Sequence, residues 1–123
     1  MITKISVQDI NELKFLAQQN DPSFMLKFYE HFAPFVTRLH EIAASKLNGA
    51  EMQICAYTML HFSTKDIAMH LKCSVRSVEN KKYRIRKKLG ISSEMDFTLW
   101  IGCISSSIRL QAEAAHQTAL PGA

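Results

Sequence analysis

The chain has 123 residues, 47% of them hydrophobic, with only four Gly and three Pro; that is ample for one core and excludes disorder throughout. Its net charge is +4, but residues 65–88 alone hold nine of the fifteen Lys and Arg against two acids. A near-neutral body thus carries one strongly basic element, suited to a polyanionic partner, while the absence of strand-length alternation and of a membrane-length apolar run excludes a β fold and a membrane protein.

A first amphipathic helix is expected over about residues 7–19, with Ile10, Leu13 and Ala17 on one face. Asp21-Pro22 reads as an N-cap followed by Pro at the first helical position. It opens a stretch on which Phe24, Phe28, Phe32, Phe35, Leu39 and Ile42 form a single stripe, and Pro34 should kink or split it. An aromatic stripe at helical spacing is first of all core. Four Phe in twelve residues, however, exceed what a short helix buries on itself, so Phe24, Phe28 and Phe32 are also candidates for a dimerisation or partner face.

Asn48 with Glu51 three residues on forms a capping box for the next helix, expected to reach about His61. Ser63 with Asp66 repeats the pattern for a short helix ending near Leu71. Lys72-Cys73 then form a turn, Ser74 caps a long helix through Leu89, and Gly90 is a natural C-terminal residue for it. Ser93 with Asp96 is read as opening a last helix that carries Phe97, Trp100, Ile101, Ile104 and Ile108. Beyond about Gln111 the composition predicts a flexible tail. The fold class is therefore all-α, divided into an N-terminal helical segment (1–46), a helical domain (47–110) and the tail (111–123).

The short helix, tight turn and long helix make a wedge able to push the second helix into the major groove of duplex DNA. At about 100° per residue, Val78, Ile85 and Leu89 cluster within about 40° as the buried side, with Val75 and Lys82 flanking. Arg76, Glu79, Asn80, Tyr83 and Lys87 lie opposite; Lys81, Arg84 and Lys88 line one flank and Arg86 the other. Asn80 can bond adenine bidentately, Arg76 can pair with guanine or reach a phosphate, and Glu79 can accept from cytosine or pair with a neighbour on its own helix. Tyr83 can lie over sugar and phosphate or cover the adjoining helix. Ser63 and Thr64 are candidate phosphate clamps or simply caps. With Lys65, Ser77, Lys81, Arg84, Lys87 and Lys88 they complete the candidate DNA-contacting set.

The stretch from Leu47 to about Ile104 resembles the LuxR/GerE-type DNA-binding domain. The shared pattern is Leu47, Glu51, Ser63-Thr64-Lys65-Asp66-Ile67-Ala68, Leu71-Lys72-Cys73-Ser74, Ser77-Val78 and Lys88-Leu89-Gly90, without insertion or deletion. The run from Arg76 to Leu89 looks most like the variant at the end of helical-repeat regulators. His61-Phe62 stand where the family usually has Gly before the Ser helix; Lys81 replaces a common His, Lys82 an apolar residue, and Glu79 a commonly basic one. Lys82 must therefore run its stem over the core. The resemblance implies a four-helix domain, a transcription regulator on double-stranded DNA, and a dimerising last helix, for which Trp100, Ile101, Ile104 and Ile108 match. It also implies that the 46 residues ahead of the domain are too few for the family's usual phosphoacceptor or ligand sensor, leaving control to a regulatory protein partner, to homodimer formation or to abundance.

No phosphate loop, nucleophile elbow or metal-ligand spacing is present, so no catalytic residue, metal or cofactor is expected. The first residues turn polar before a signal-peptide core develops, and an odd set of cysteines (Cys55, Cys73, Cys103) suits reduced thiols, so a cytoplasmic, nucleoid-associated protein is expected. Two alternatives compete. A protein-interaction adaptor would keep the fold and work through the Phe stripe. A module like region 4 of a sigma factor would share the helix-turn-helix but normally sits in a longer chain.

Overall fold

A computed structural model describes residues 7–106, and all regular structure among them is helical. The helices are α1 (Val7–Gln18), α2 (Phe24–Ile42), α3 (Gly49–Met59), α4 (Thr64–His70), α5 (Val75–Leu89) and α6, of which residues 97–106 are described. Ile108 and the tail beyond Gln111 lie outside the described residues.

The starts of the middle helices follow from local chemistry. At α3 the Asn48 side chain accepts the Glu51 N–H at 2.8 Å while the Glu51 carboxylate accepts the Asn48 N–H at 3.0 Å. Ser63 and Asp66 form the same reciprocal pair ahead of α4, and Ser74 accepts the Ser77 N–H ahead of α5. Two starts differ from expectation. Asp21 accepts the N–H and hydroxyl of Ser23, which folds Pro22 and Ser23 into a turn, so α2 begins at Phe24 rather than at Pro22. Asp96, not Ser93, accepts the Leu99 N–H and caps α6, because residues 93–95 are already committed to a turn.

All five helix ends that are described close alike. The residue past each helix takes a left-handed φ at Asn20 (51°), Ala44 (52°), His61 (69°), Lys72 (56°) and Gly90 (69°). Its N–H and the next one turn back onto the last carbonyls, as in the pair Cys73 N–H to Ala68 and Lys72 N–H to Met69. His61 thus occupies, strained, a position that suits Gly.

α2 is kinked. Phe32 departs from helical geometry (φ −127°, ψ 32°) two residues ahead of Pro34, whose ring and missing N–H disrupt the preceding turn. The aromatic stripe points inward: Phe24 meets Tyr57 of α3 edge-on at 4.9 Å and stacks on Phe28, which meets Phe35 edge-on. Tyr57, itself fully buried, donates from its hydroxyl to the Ala17 carbonyl, so α1, α2 and α3 converge on one ring. A single apolar cluster runs from Leu13 through Leu39, Ile67, Val78 and Ile85 to Ile101.

Phe24 and Phe28 are therefore core residues and not the partner face that their spacing allowed. At 1% and 0% exposure they have no surface to offer a second molecule, and only Phe32 of the three is half-buried. Ile101 is likewise fully buried, while Trp100 and Ile104 pack against the core with part of their surface outside.

Candidate nucleic-acid interface

The packing of α5 against α3 and α4 decides which of its side chains reach solvent. Val78 and Ile85 are fully buried and Leu89 nearly so. Arg76, Glu79, Asn80, Tyr83, Arg84 and Lys87 are exposed, and no described part of the chain covers them. Tyr83 stands 59% exposed, with the Lys87 ammonium 4.6 Å from its ring centroid, so an aromatic face and a cation are presented together. Lys65 is exposed on α4, Lys81 is half-buried on the flank of α5, and Ser77 is half-buried in its first turn.

Three cations of α5 turn inward instead. Lys82 runs along the core edge, as its place on the apolar flank requires, and donates to the Thr64 hydroxyl at 2.6 Å, with its ammonium 5.6 Å from the Phe97 ring. Burial lowers its pKa, against the pull of Asp96 and Glu79. Arg86 donates to the carbonyls of Ser92 and Met95 and so holds the loop leading to α6. Lys88 donates to the Glu51 carboxylate at 2.7 Å.

Glu51 is the buried anion of the domain, its side chain 3% exposed against 30% for Lys88. Burial alone would raise its pKa. Hydrogen bonds from Lys88 and the Asn48 N–H, with the charges of Lys88 and Arg84, outweigh that and hold the carboxyl below its ordinary value. Cys55, one turn further along α3, feels the opposite effect: burial and the Glu51 charge push its thiol up to about 12.

The residues singled out from sequence thus divide. Arg76, Glu79, Asn80, Tyr83, Arg84 and Lys87 share one open face, with Lys65 exposed on the preceding helix. Ser63 is engaged as a cap, Thr64 as the acceptor for Lys82, and Ser77 through its backbone N–H as the partner of Ser74. Lys88, expected on the cationic flank, is held by Glu51. Sequence reasoning read Glu51 as half of a capping box and as part of the LuxR/GerE pattern, but not as the partner of Lys88, which stands 37 positions away. Met69 (64% exposed) was not singled out either, and Val75, expected beside the buried side, is 40% exposed; both are open apolar groups near the turn between α4 and α5.

Residues 45–101 match the model of the family described as bacterial regulatory proteins, luxR family, across just under half of the chain. No curated protein and no solved structure matches it. The matched segment covers α3, α4, α5 and the first turn of α6, so the open face of α5 lies inside the part of the chain that is similar to this family of bacterial regulatory proteins.

Proposed function

We propose that this chain, which carries a helix-turn-helix domain of the LuxR/GerE type at residues 45–101, is a sequence-specific regulator that lays α5 in the major groove of double-stranded DNA. One observation carries the reading: six polar, cationic or aromatic side chains of α5 stand together in solvent, opposite a fully buried keel. Arg84 and Lys87, with Lys65 on α4 and Lys81 on the flank, meet the phosphate walls and supply most of the affinity. Asn80, Arg76 and Glu79 aim at base edges, and Tyr83 lies over the backbone. Ser63, Thr64 and Ser77 shape the approach of α4 and α5: the Ser63 and Thr64 hydroxyl oxygens accept within the fold, and the Ser77 backbone N–H donates to Ser74.

The chain acts as a homodimer on two half-sites about one helical turn apart, through the part of α6 that remains outside the core, Trp100 and Ile104. It works in the cytoplasm, on the nucleoid. Among the described residues no helix is long and apolar enough to cross a membrane. Burial of Phe24 and Phe28 supports this reading over an adaptor that works through the Phe stripe.

Selection from a random pool of duplexes tests the proposal. A recurring motif, lost when Arg76, Asn80 and Lys87 are replaced together by Ala in a folded protein, is the expected result. Enrichment of nothing above the starting pool would end it.

A further inference from the structure

We propose that Glu51 is a positioning residue for DNA reading: its carboxylate ties the last turn of α5 to the start of α3, and Lys88 serves as an internal strut instead of a phosphate contact. This rests on the DNA-binding reading above. One carboxylate oxygen, Glu51 Oε1, accepts both the Asn48 N–H and the Lys88 ammonium, so a single buried atom joins the beginning of one helix to the end of another.

The geometry explains why such a tie matters. α5 has 15 residues, a rod about 22 Å long. Base-edge contacts need their donors held within about 0.5 Å, which a rod fixed only near its first turn does not provide at its far end. Lys82 secures α5 at mid-length to Thr64 of α4, and Lys88 secures its last turn to Glu51 of α3. Two separated fixed points set a direction, and Arg86 adds the loop after α5 through the carbonyls of Ser92 and Met95.

A phosphate does not readily draw Lys88 away. Doing so would leave the Glu51 carboxylate buried, uncompensated and facing a second anion, which is far costlier than giving up one solvent-exposed phosphate contact. Of the seven cations on α5, then, Lys82, Arg86 and Lys88 orient the helix, and Arg76, Lys81, Arg84 and Lys87 are left for the nucleic acid.

The test uses the full chain, a labelled duplex that the parent protein enriches from a random pool, and a scrambled duplex of the same length. Affinity for each is measured against salt concentration. Lys87→Gln should flatten the slope of log affinity on log salt by about 1 per protomer. Lys88→Gln should leave that slope unchanged while the preference for the enriched duplex falls about fivefold or more, equivalent to losing one good base contact. Lys88→Arg should restore the preference. Glu51→Gln should lower the preference without flattening the slope, since it releases a cation. A role confined to stability would leave the preference of the folded variants intact, and circular dichroism at the assay temperature establishes folding; if Glu51→Gln does not fold, the two Lys88 variants decide alone. A Lys88→Gln slope as flat as that of Lys87→Gln, or an unchanged preference in folded Lys88→Gln, overturns the proposal while DNA binding stands. A parent protein that binds no duplex ends both.

Discussion

A long cationic side chain is committed by whichever partner its stem can reach, and that partner need not be near in sequence. Lys81, Lys82, Arg84, Arg86, Lys87 and Lys88 look alike as a run, yet Thr64, the Ser92 and Met95 carbonyls, and Glu51 hold three of them. The outward set was legible because helical periodicity alone places it, as was the inward course of the Lys82 stem; the partners that hold Lys82 and Lys88 were not, because they stand 18 and 37 positions away. Glu51 also gives the fold a pH dependence. Its folded pKa lies below the unfolded value of about 4.3, so its stabilisation is full above that value and is lost as pH falls through the folded one. Thermal unfolding of Glu51→Gln at pH 7 should show a loss of about 2 kcal/mol, less than the ~3–5 for breaking a fully buried pair because Lys88 stays partly exposed. At pH 3 the difference from the parent should shrink; an equal gap at both pH values would contradict the assignment. At the open face, Asn80→Ala should relax preference at one base pair at a cost of about 1–3 kcal/mol, read by repeating the duplex selection with the variant. An unchanged motif would remove Asn80 as a reader.

Helix starts and helix ends carry information differently. The starts at Asn48, Ser63 and Ser74 were legible because an N-cap acts through its own side chain on a neighbour three residues on. The ends were mostly hidden, since a left-handed residue is readable only when it is Gly. Gly90 satisfies that condition, whereas Asn20, Ala44, His61 and Lys72 do the same work with a side chain in the way. The same physics gives a prediction: His61→Gly and Ala44→Gly should each raise stability by about 1 kcal/mol by relieving the left-handed strain, while His61→Val should lower it. Denaturant midpoints of the three variants check this, and a destabilised His61→Gly would show that the imidazole makes up for its backbone. The Pro34 kink was legible for the matching reason that proline acts on the turn before it, and Phe32 is where that turn gives way. The misread starts of α2 and α6 have different causes: Asp21 bonds its own local turn, so α2 starts after it, whereas Asp96 itself caps α6 because residues 93–95 already form a turn.

At the scale of the molecule, the N-terminal helices and the helix-turn-helix share one apolar cluster, with Tyr57 at the junction of α1, α2 and α3. Sequence could locate the Phe stripe but not its destination, because a stripe that faces its own domain and one that faces a partner have the same spacing. Phe28→Ala should therefore cost about 3–5 kcal/mol of stability through the cavity it leaves, with no change in association of the molecules that remain folded. Trp100→Ala should instead lower dimer content in sedimentation analysis, because part of that ring lies outside the core. A parent protein that sediments as a monomer at all concentrations would refute the dimer.

The most direct measurement is duplex affinity as a function of salt, for the parent and for the combined Lys81→Ala, Arg84→Ala, Lys87→Ala variant. The open cations of α5 predict a steep fall of affinity with salt in the parent and a slope shallower by about 3 per protomer in the variant. A parent that ignores duplex DNA, or a folded triple variant with an unaltered slope, would contradict the central claim that α5 presents its outer face to a nucleic acid.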